Sequence, residues 1–268
     1  MIRCCLLALV MGVSVSCSSL PVPGSGGVAG VEEAAARRVV EASAAKTGNA
    51  WKRYREVKVG YDGEWAPLAV RLQPVLTDPG FRKSSLETYL PRRNEVRQVH
   101  AGPLGKKVVE RRRPGIRVAF NGTPSTDAEV LGSAALVADA YTAFLFGSSW
   151  LAETGREFRL MEPRRLDGEL CDLISARVVP GFGPAEADGV IAWIGKETGL
   201  MRRLQFTLTG LDATRGADVD VTFSNHFTAP DGSVWPRNFV EYIHRPLLAK
   251  AHEWRMTSLV LDGKTAIR

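Results

Sequence analysis

The sequence predicts a mainly antiparallel β domain with α-helices (α+β), its sheet bent into a barrel or strongly curved surface with helices covering the concave side. Three observations carry that expectation. Short segments of alternating polar and apolar residues recur along most of the chain. Glycine-bearing turns too short for crossovers separate them, and only two stretches switch to helical periodicity. About a dozen up-and-down strands in succession do not stay a flat open sheet; they curl.

The N-terminus comes first. Residues 1–16, MIRCCLLALVMGVSVS, carry one charge, Arg3, ahead of an apolar run that ends in small residues. That is the pattern of a secretory signal, too short for a permanent span of roughly 20 apolar residues. Ser14-Val15-Ser16-Cys17 resembles the lipobox of bacterial lipoproteins, with Ser14 standing where a larger aliphatic residue is usual. The expectation is cleavage before Cys17, lipidation of that cysteine and attachment to a membrane of the bacterial cell envelope. Ser18, rather than Asp, after the cysteine points by analogy with enteric sorting to the outer membrane, facing the periplasm. Residues 17–30 then hold the lipidated cysteine and a Ser/Pro/Gly tether, whose span is on the order of 20 Å. Residues 31–268 form one domain.

Within that domain, Val31, Ala35, Val39 and Ala42 recur at helical spacing, with Glu32 and Glu33 at the start, and predict a helix over 31–46. Val57, Val59 and Tyr61 then alternate with Glu56 and Lys58. Further strands are expected over 67–74, 81–89, 94–100, 106–110 and 116–120, closed by the Asn121-Gly122 turn. A capping box, Thr126 with Glu129, opens a second helix over about 128–153. Its one charge between Val130 and Leu151 is Asp139, so it is expected to be buried or to cover an apolar surface. Although near transmembrane length, it lacks basic flanks and reads as a cover for the sheet. Strands over 170–179, 190–195, 200–208, 219–228, 234–244 and 251–261 follow, with GKETG and APDG as hairpin loops.

Charge and cysteines narrow the function. The chain has 35 basic and 29 acidic residues, the basic ones often paired, as at Arg92-Arg93, Lys106-Lys107 and Arg111-Arg112-Arg113. Behind an export signal these runs point to anionic phospholipid rather than nucleic acid. Cys4 and Cys5 leave with the signal and Cys17 takes lipid, so Cys171 has no partner for a disulfide and reads as a small buried hydrophobe.

The segment from Gly189 to Phe239 resembles the LolA/LolB-like superfamily of periplasmic lipoprotein carriers and receptors. The likeness rests on Trp193-Ile194, Glu197-Thr198-Gly199, Phe223-Ser224-Asn225, and Gly232 with Pro236. In element order it extends over residues 31–261. The resemblance implies a half-open antiparallel barrel with helices closing its mouth and acyl chains held in an apolar cavity. A lipid anchor on the chain itself is nearer the receptor's arrangement than the carrier's, and the 67–120 segment is unusually long. The ligand implied is a lipid, an acyl chain or a lipoprotein. Tyr141, Phe144, Trp150, Trp193, Leu204, Phe206, Val221 and Phe223 are the candidate cavity lining. The alternative is a structural or interaction lipoprotein in which the same side chains pack a filled interior.

No catalytic, cofactor or metal signature stands up. Ser43-Ala44-Ala45-Lys46 and Lys46-Thr47-Gly48 imitate two motifs of penicillin-binding enzymes but share one lysine where that chemistry needs two. There is no G-x-S-x-G elbow. His100, His226, His244 and His252 lack metal-ligand spacing, although His226 and His244 are positioned to face each other across the 219–244 hairpin. Gly181-Phe182-Gly183 has no helix start behind it to hold a phosphate.

Overall fold

A computed structural model describes residues 31–214, 216–244 and 248–267. The signal, Cys17 and the tether lie outside these residues.

The first half runs α1 (Val31–Lys46), α2 (Ala50–Arg53), β1 (Val57–Trp65), α3 (Pro67–Leu72), α4 (Pro74–Thr77), β2 (Ser84–Leu90), β3 (Glu95–Gly102), β4 (Gly105–Arg112), β5 (Gly115–Phe120), β6 (Thr123–Pro124) and α5 (Ala128–Thr154). The second half is all strand: β7 (Gly155–Leu166), β8 (Glu169–Val178), β9 (Asp188–Gly195), β10 (Met201–Leu208), β11 (Ala217–Ser224), β12 (Phe227–Thr228), β13 (Val234–Trp235), β14 (Asn238–Ile243), β15 (Ala249–Leu261) and β16 (Lys264–Ile267). One fourteen-stranded antiparallel sheet takes the order β6-β5-β4-β3-β2-β1-β15-β14-β11-β10-β9-β8-β7, with β16 added to β15. Two meanders are thus joined by one long-range pair, β1 with β15, and the sheet ends at β6 and β7 rather than closing. It curls around α5, which contacts β3, β4 and β5 from one limb and β10 from the other.

The helix over 31–46 forms as expected, and α1 packs on α5 and β7, with the Arg37 guanidinium 4.6 Å over the Phe158 ring. The long helix is buried from Ser133 to Leu151 apart from Gly147. Its cap is Asp127, not Thr126: the Asp127 carboxylate accepts from the Glu129 and Val130 amides at 2.8 and 3.1 Å. A full negative charge beside the positive end of the helix outcompetes a hydroxyl one residue earlier. Gly147 breaks the helix with φ 49° and ψ −125°, a conformation open to glycine and strained for any other residue.

Three expectations require correction. Residues 67–74 are not a strand. Pro67 and Pro74 each occupy the start of a short helix, where proline's fixed φ and missing N–H cost nothing. The segments 219–228 and 234–244 each split in two, at Asn225 (φ 53°) and before Pro236–Arg237. β7 was not anticipated, because its exposed edge carries a dense charge pattern that hides the alternation, and two register irregularities interrupt its pairing with β8.

The main core fills the space between the helices and the face of the sheet that wraps them. A second, smaller cluster of Leu166, Cys171, Leu173, Ile191 and Trp193 lies on the opposite face. Asp139 ties the open sheet together from inside the long helix. Its carboxylate accepts from Arg111 Nε and Nη2 at 3.2 and 3.0 Å, from Arg113 Nη2 at 2.7 Å and from the Gly183 amide at 2.9 Å. One buried carboxylate therefore joins α5, the β4–β5 hairpin and the loop between β8 and β9.

Candidate hydrophobic-ligand cavity

A cavity of about 730 Å³ opens at one end of strands β1, β10, β11, β14 and β15, where α3 packs on β15 and α4 follows it. Leu68 and Leu72, at i and i+4 on α3, form one wall with Leu76 of α4. The opposite wall is Leu208 of β10, Val219 of β11, Ile243 of β14 and Ala251 of β15. Two hydrogen bonds hold the helical wall in place: Ala66 N–H to the Ala251 carbonyl at 2.8 Å, and Gln73 Nε2 to the Ala213 carbonyl at 2.8 Å across the mouth. Leu68, Leu72, Tyr242 and Leu248, on or beside these walls, are exposed large apolar side chains, Leu72 at 56%. A concave space of this size with apolar walls falls within the range that holds small ligands.

The floor is polar. Trp65, His252 and Glu241 are cross-strand neighbours on β1, β15 and β14. Glu241 accepts a hydrogen bond from Nε2 of the fully buried His252, and the His252 ring lies 4.1 Å from that of Trp65. Burial holds the His252 imidazole below its usual pKa, against the pull of Glu241. Behind Trp65 the interior becomes more polar still. The buried Arg82 guanidinium sits among the rings of Trp65, Tyr141 and Trp254 at 5.0, 5.3 and 5.8 Å and donates to the Tyr141 hydroxyl at 2.5 Å. Lys107 pairs with Asp78 at 2.6 Å, both buried.

The eight expected lining residues are placed differently. Tyr141, Phe144 and Trp150 on α5, Leu204 and Phe206 on β10, and Val221 and Phe223 on β11 all lie in the main core. There they pack on one another and on Phe182: Phe144 is 6.1 Å from both Phe206 and Phe223, Phe182 is 5.1 Å from Phe206, and Trp150 stacks on Phe182 at 5.8 Å. None of the seven lines the large cavity; Phe144 and Phe223 border only a void of about 30 Å³. Trp193 is on the other face of the sheet, where its indole N–H donates to Gln205 Oε1 at 2.6 Å and Arg203 stacks on it. Val190, Ala192 and Ile194 take the inward positions of β9, and strict alternation turns Trp193 outward.

The residues missed by the sequence reading are those of α3–α4 and the Trp65–His252–Glu241 floor. Pro67, Pro74 and the leucine spacing between them are the signal that would have found the wall. The floor has none, because its residues come from three distant strands. His226 and His244 do not face each other: His244 pairs with Asp220 at 2.6 Å, whereas burial lowers the His226 pKa to about 4 beside Arg202. No group of three or more potential metal ligands occurs among the described residues. Cys171 is fully buried, and burial raises its thiol pKa.

No protein-family model and no curated protein sequence matches this chain. Solved structures do. A LolA superfamily protein from Nitrosomonas europaea is similar with a TM-score of 0.50 at 9% identity, covering 87% of this chain and 93% of its own. A DUF1329 family protein from Desulfovibrio piger has the same TM-score at 10% identity, covering 86% and 93%. The chain has a LolA-like fold: a large, curved, unclosed antiparallel sheet with helices on its inner face.

Proposed function

We propose that this protein is a bacterial envelope lipoprotein, anchored through acyl chains on Cys17, that binds a hydrophobic ligand in the cavity beneath α3 and α4. One observation carries the reading: a space of about 730 Å³ with aliphatic walls remains beside a main core packed with aromatic and aliphatic side chains. Each methylene sequestered there is worth about 0.8 kcal/mol, so a single acyl chain supplies enough for useful affinity. The exposed Leu68, Leu72 and Leu248 give an apolar approach to the opening. The LolA-like fold supports the same reading, including a role in lipid or lipoprotein trafficking at the outer membrane.

A packed interior favours the second reading, a structural or interaction lipoprotein, for the region around Phe144 and Phe206. Binding decides between them. An uncharged environment-sensitive fluorophore such as N-phenylnaphthylamine should bind the full-length Cys17→Ala protein with micromolar affinity. Filling the cavity with Ala217→Trp should weaken that binding by about tenfold or more, with the circular dichroism spectrum unchanged. Absence of probe binding by the unfilled protein leaves the structural reading. The anchor is tested separately: Cys17→Ala should move the protein out of the membrane fraction, since two or more acyl chains are what make attachment stable. Retention after a high-salt wash places the anchor elsewhere.

A further inference from the structure

The cavity carries a single carboxylate, Glu241, on its floor, beneath largely aliphatic walls. Glu241 and Trp65 both line the cavity, with His252 between them across the strands. A neutral His252 donates from Nε2 to Glu241, which leaves its Nδ1 a buried acceptor without a partner. The Trp65 indole N–H is likewise a buried donor without a partner. Both of those atoms are covered, so the polar group the floor presents to the cavity is the Glu241 carboxylate.

The surrounding charges decide what can occupy it. Lys250 and His244 also line the cavity, but each is held by a carboxylate of its own, Glu253 and Asp220. Arg82 stacks on the Trp65 ring and donates to Tyr141 and the Leu76 carbonyl. A ligand carboxylate brought to this floor would be desolvated against Glu241, and like charges in a low-dielectric site repel strongly. An uncharged hydroxyl escapes that penalty and can donate to Glu241.

We propose that the cavity selects an apolar molecule ending in an uncharged hydroxyl group, held by Glu241, and discriminates against the corresponding carboxylate. This rests on the cavity reading above and adds to it the polarity of the ligand's end. A site built to bond a hydroxyl rejects analogues that cannot complete the bond, because its own buried groups are left unpaired.

The test is competition for the bound fluorophore on the full-length Cys17→Ala protein at neutral pH, using dodecanol, dodecanoate and the methyl ether of dodecanol. Dodecanol should displace the probe at a concentration at least about tenfold lower than either of the others. Glu241→Gln should bring dodecanoate to within about twofold of dodecanol by removing the repelling charge. Equal displacement by all three, or preference for dodecanoate, overturns the selectivity and leaves the cavity reading standing. The same holds if the Gln variant keeps the original ratio. If neither the fluorophore nor any of the three binds, both readings fall together. The wild-type Glu241 ratio is informative even if the Gln variant does not fold.

Discussion

The two limbs of the sheet present opposite chemistries to the same helix. Inner positions on β8 to β11 are aliphatic or aromatic: Ile174, Ala176, Val190, Ile194, Leu204, Phe206, Val221 and Phe223. Most inner positions on β2 to β4 are polar and just as buried, Ser85, Glu87, Gln98, His100, Lys107 and Arg111, with Tyr89, Val96 and Val109 among them. α5 matches each side, turning Phe144 to the first and Asp139 to the second. The apolar limb is held by burial and forgives nothing charged. The polar limb's charged side chains are held by pairs and hydrogen bonds, Glu87 with Ser85 and Tyr89, Lys107 with Asp78 and Arg111 with Asp139, each of which stabilises only while its partner is present. The large cavity lies near the seam, where Leu208 and Val219 of one limb meet Trp65 of the other.

The largest effect that probes this contrast is Phe206→Arg. Phe206 is 1% exposed and packed on Phe144 and Phe182. Losing a buried aromatic costs about 3–5 kcal/mol, and an unpaired buried charge adds several more, against a total stability of about 5–15 kcal/mol for a domain. The expected result is loss of the folded state by circular dichroism. A folded variant would mean that the apolar limb is roomy rather than packed, and would return Phe144, Phe206 and Phe223 to the lining of a ligand site. A smaller loss is expected at the junction of the limbs. Asp139→Ala strands the buried guanidinium of Arg111 and the largely buried one of Arg113, and should lower stability by about 3–5 kcal/mol in urea unfolding. An unchanged midpoint would show that the limbs are joined by packing alone.

Legibility in the sequence did not follow that divide. Periodicity located α1, β1 to β5 and the strands of the second meander other than β7, because each buries one face more than the other, which is what a period of two or 3.6 reports. The unbroken apolar run of α5 announced a covered helix, and Asp139 within it stood out as the one residue needing a partner. The cavity was not legible. Large apolar side chains mark where a core is, but whether they fill it depends on how two meanders meet, and that is fixed by the β1–β15 pair across nearly two hundred residues. Trp193 and Ile194 look equally suited to an interior, and only the register of β9 separates them. The helical wall was missed because 67–74 reads as a strand when Pro67 and Pro74 are not weighed as helix starts.

The smallest and sharpest effect concerns Glu87 in the polar limb. Its carboxyl is 1% exposed, accepts from the Ser85 hydroxyl at 2.8 Å and is hydrogen-bonded to the Tyr89 hydroxyl. Burial raises its pKa above the ordinary 4.5, outweighing the hydrogen bonds and the Arg82 charge that favour ionisation. A carboxyl whose pKa is raised by folding is bound to its proton more tightly in the folded chain than in the unfolded one. Its contribution to stability is therefore complete below about pH 4.5 and drains away as pH rises through the folded value. Glu87→Gln keeps the shape and cannot titrate. At pH 4 the two proteins should differ by only about 1 kcal/mol, the worth of a rearranged hydrogen bond. As pH is raised toward neutrality, the difference in unfolding free energy should move steadily in favour of the Gln variant. Urea unfolding of both proteins across that range measures it. Movement in the opposite direction would mean that Arg82 holds Glu87 ionised, so that the polar limb is organised by an ion pair at its centre rather than by a neutral carboxyl.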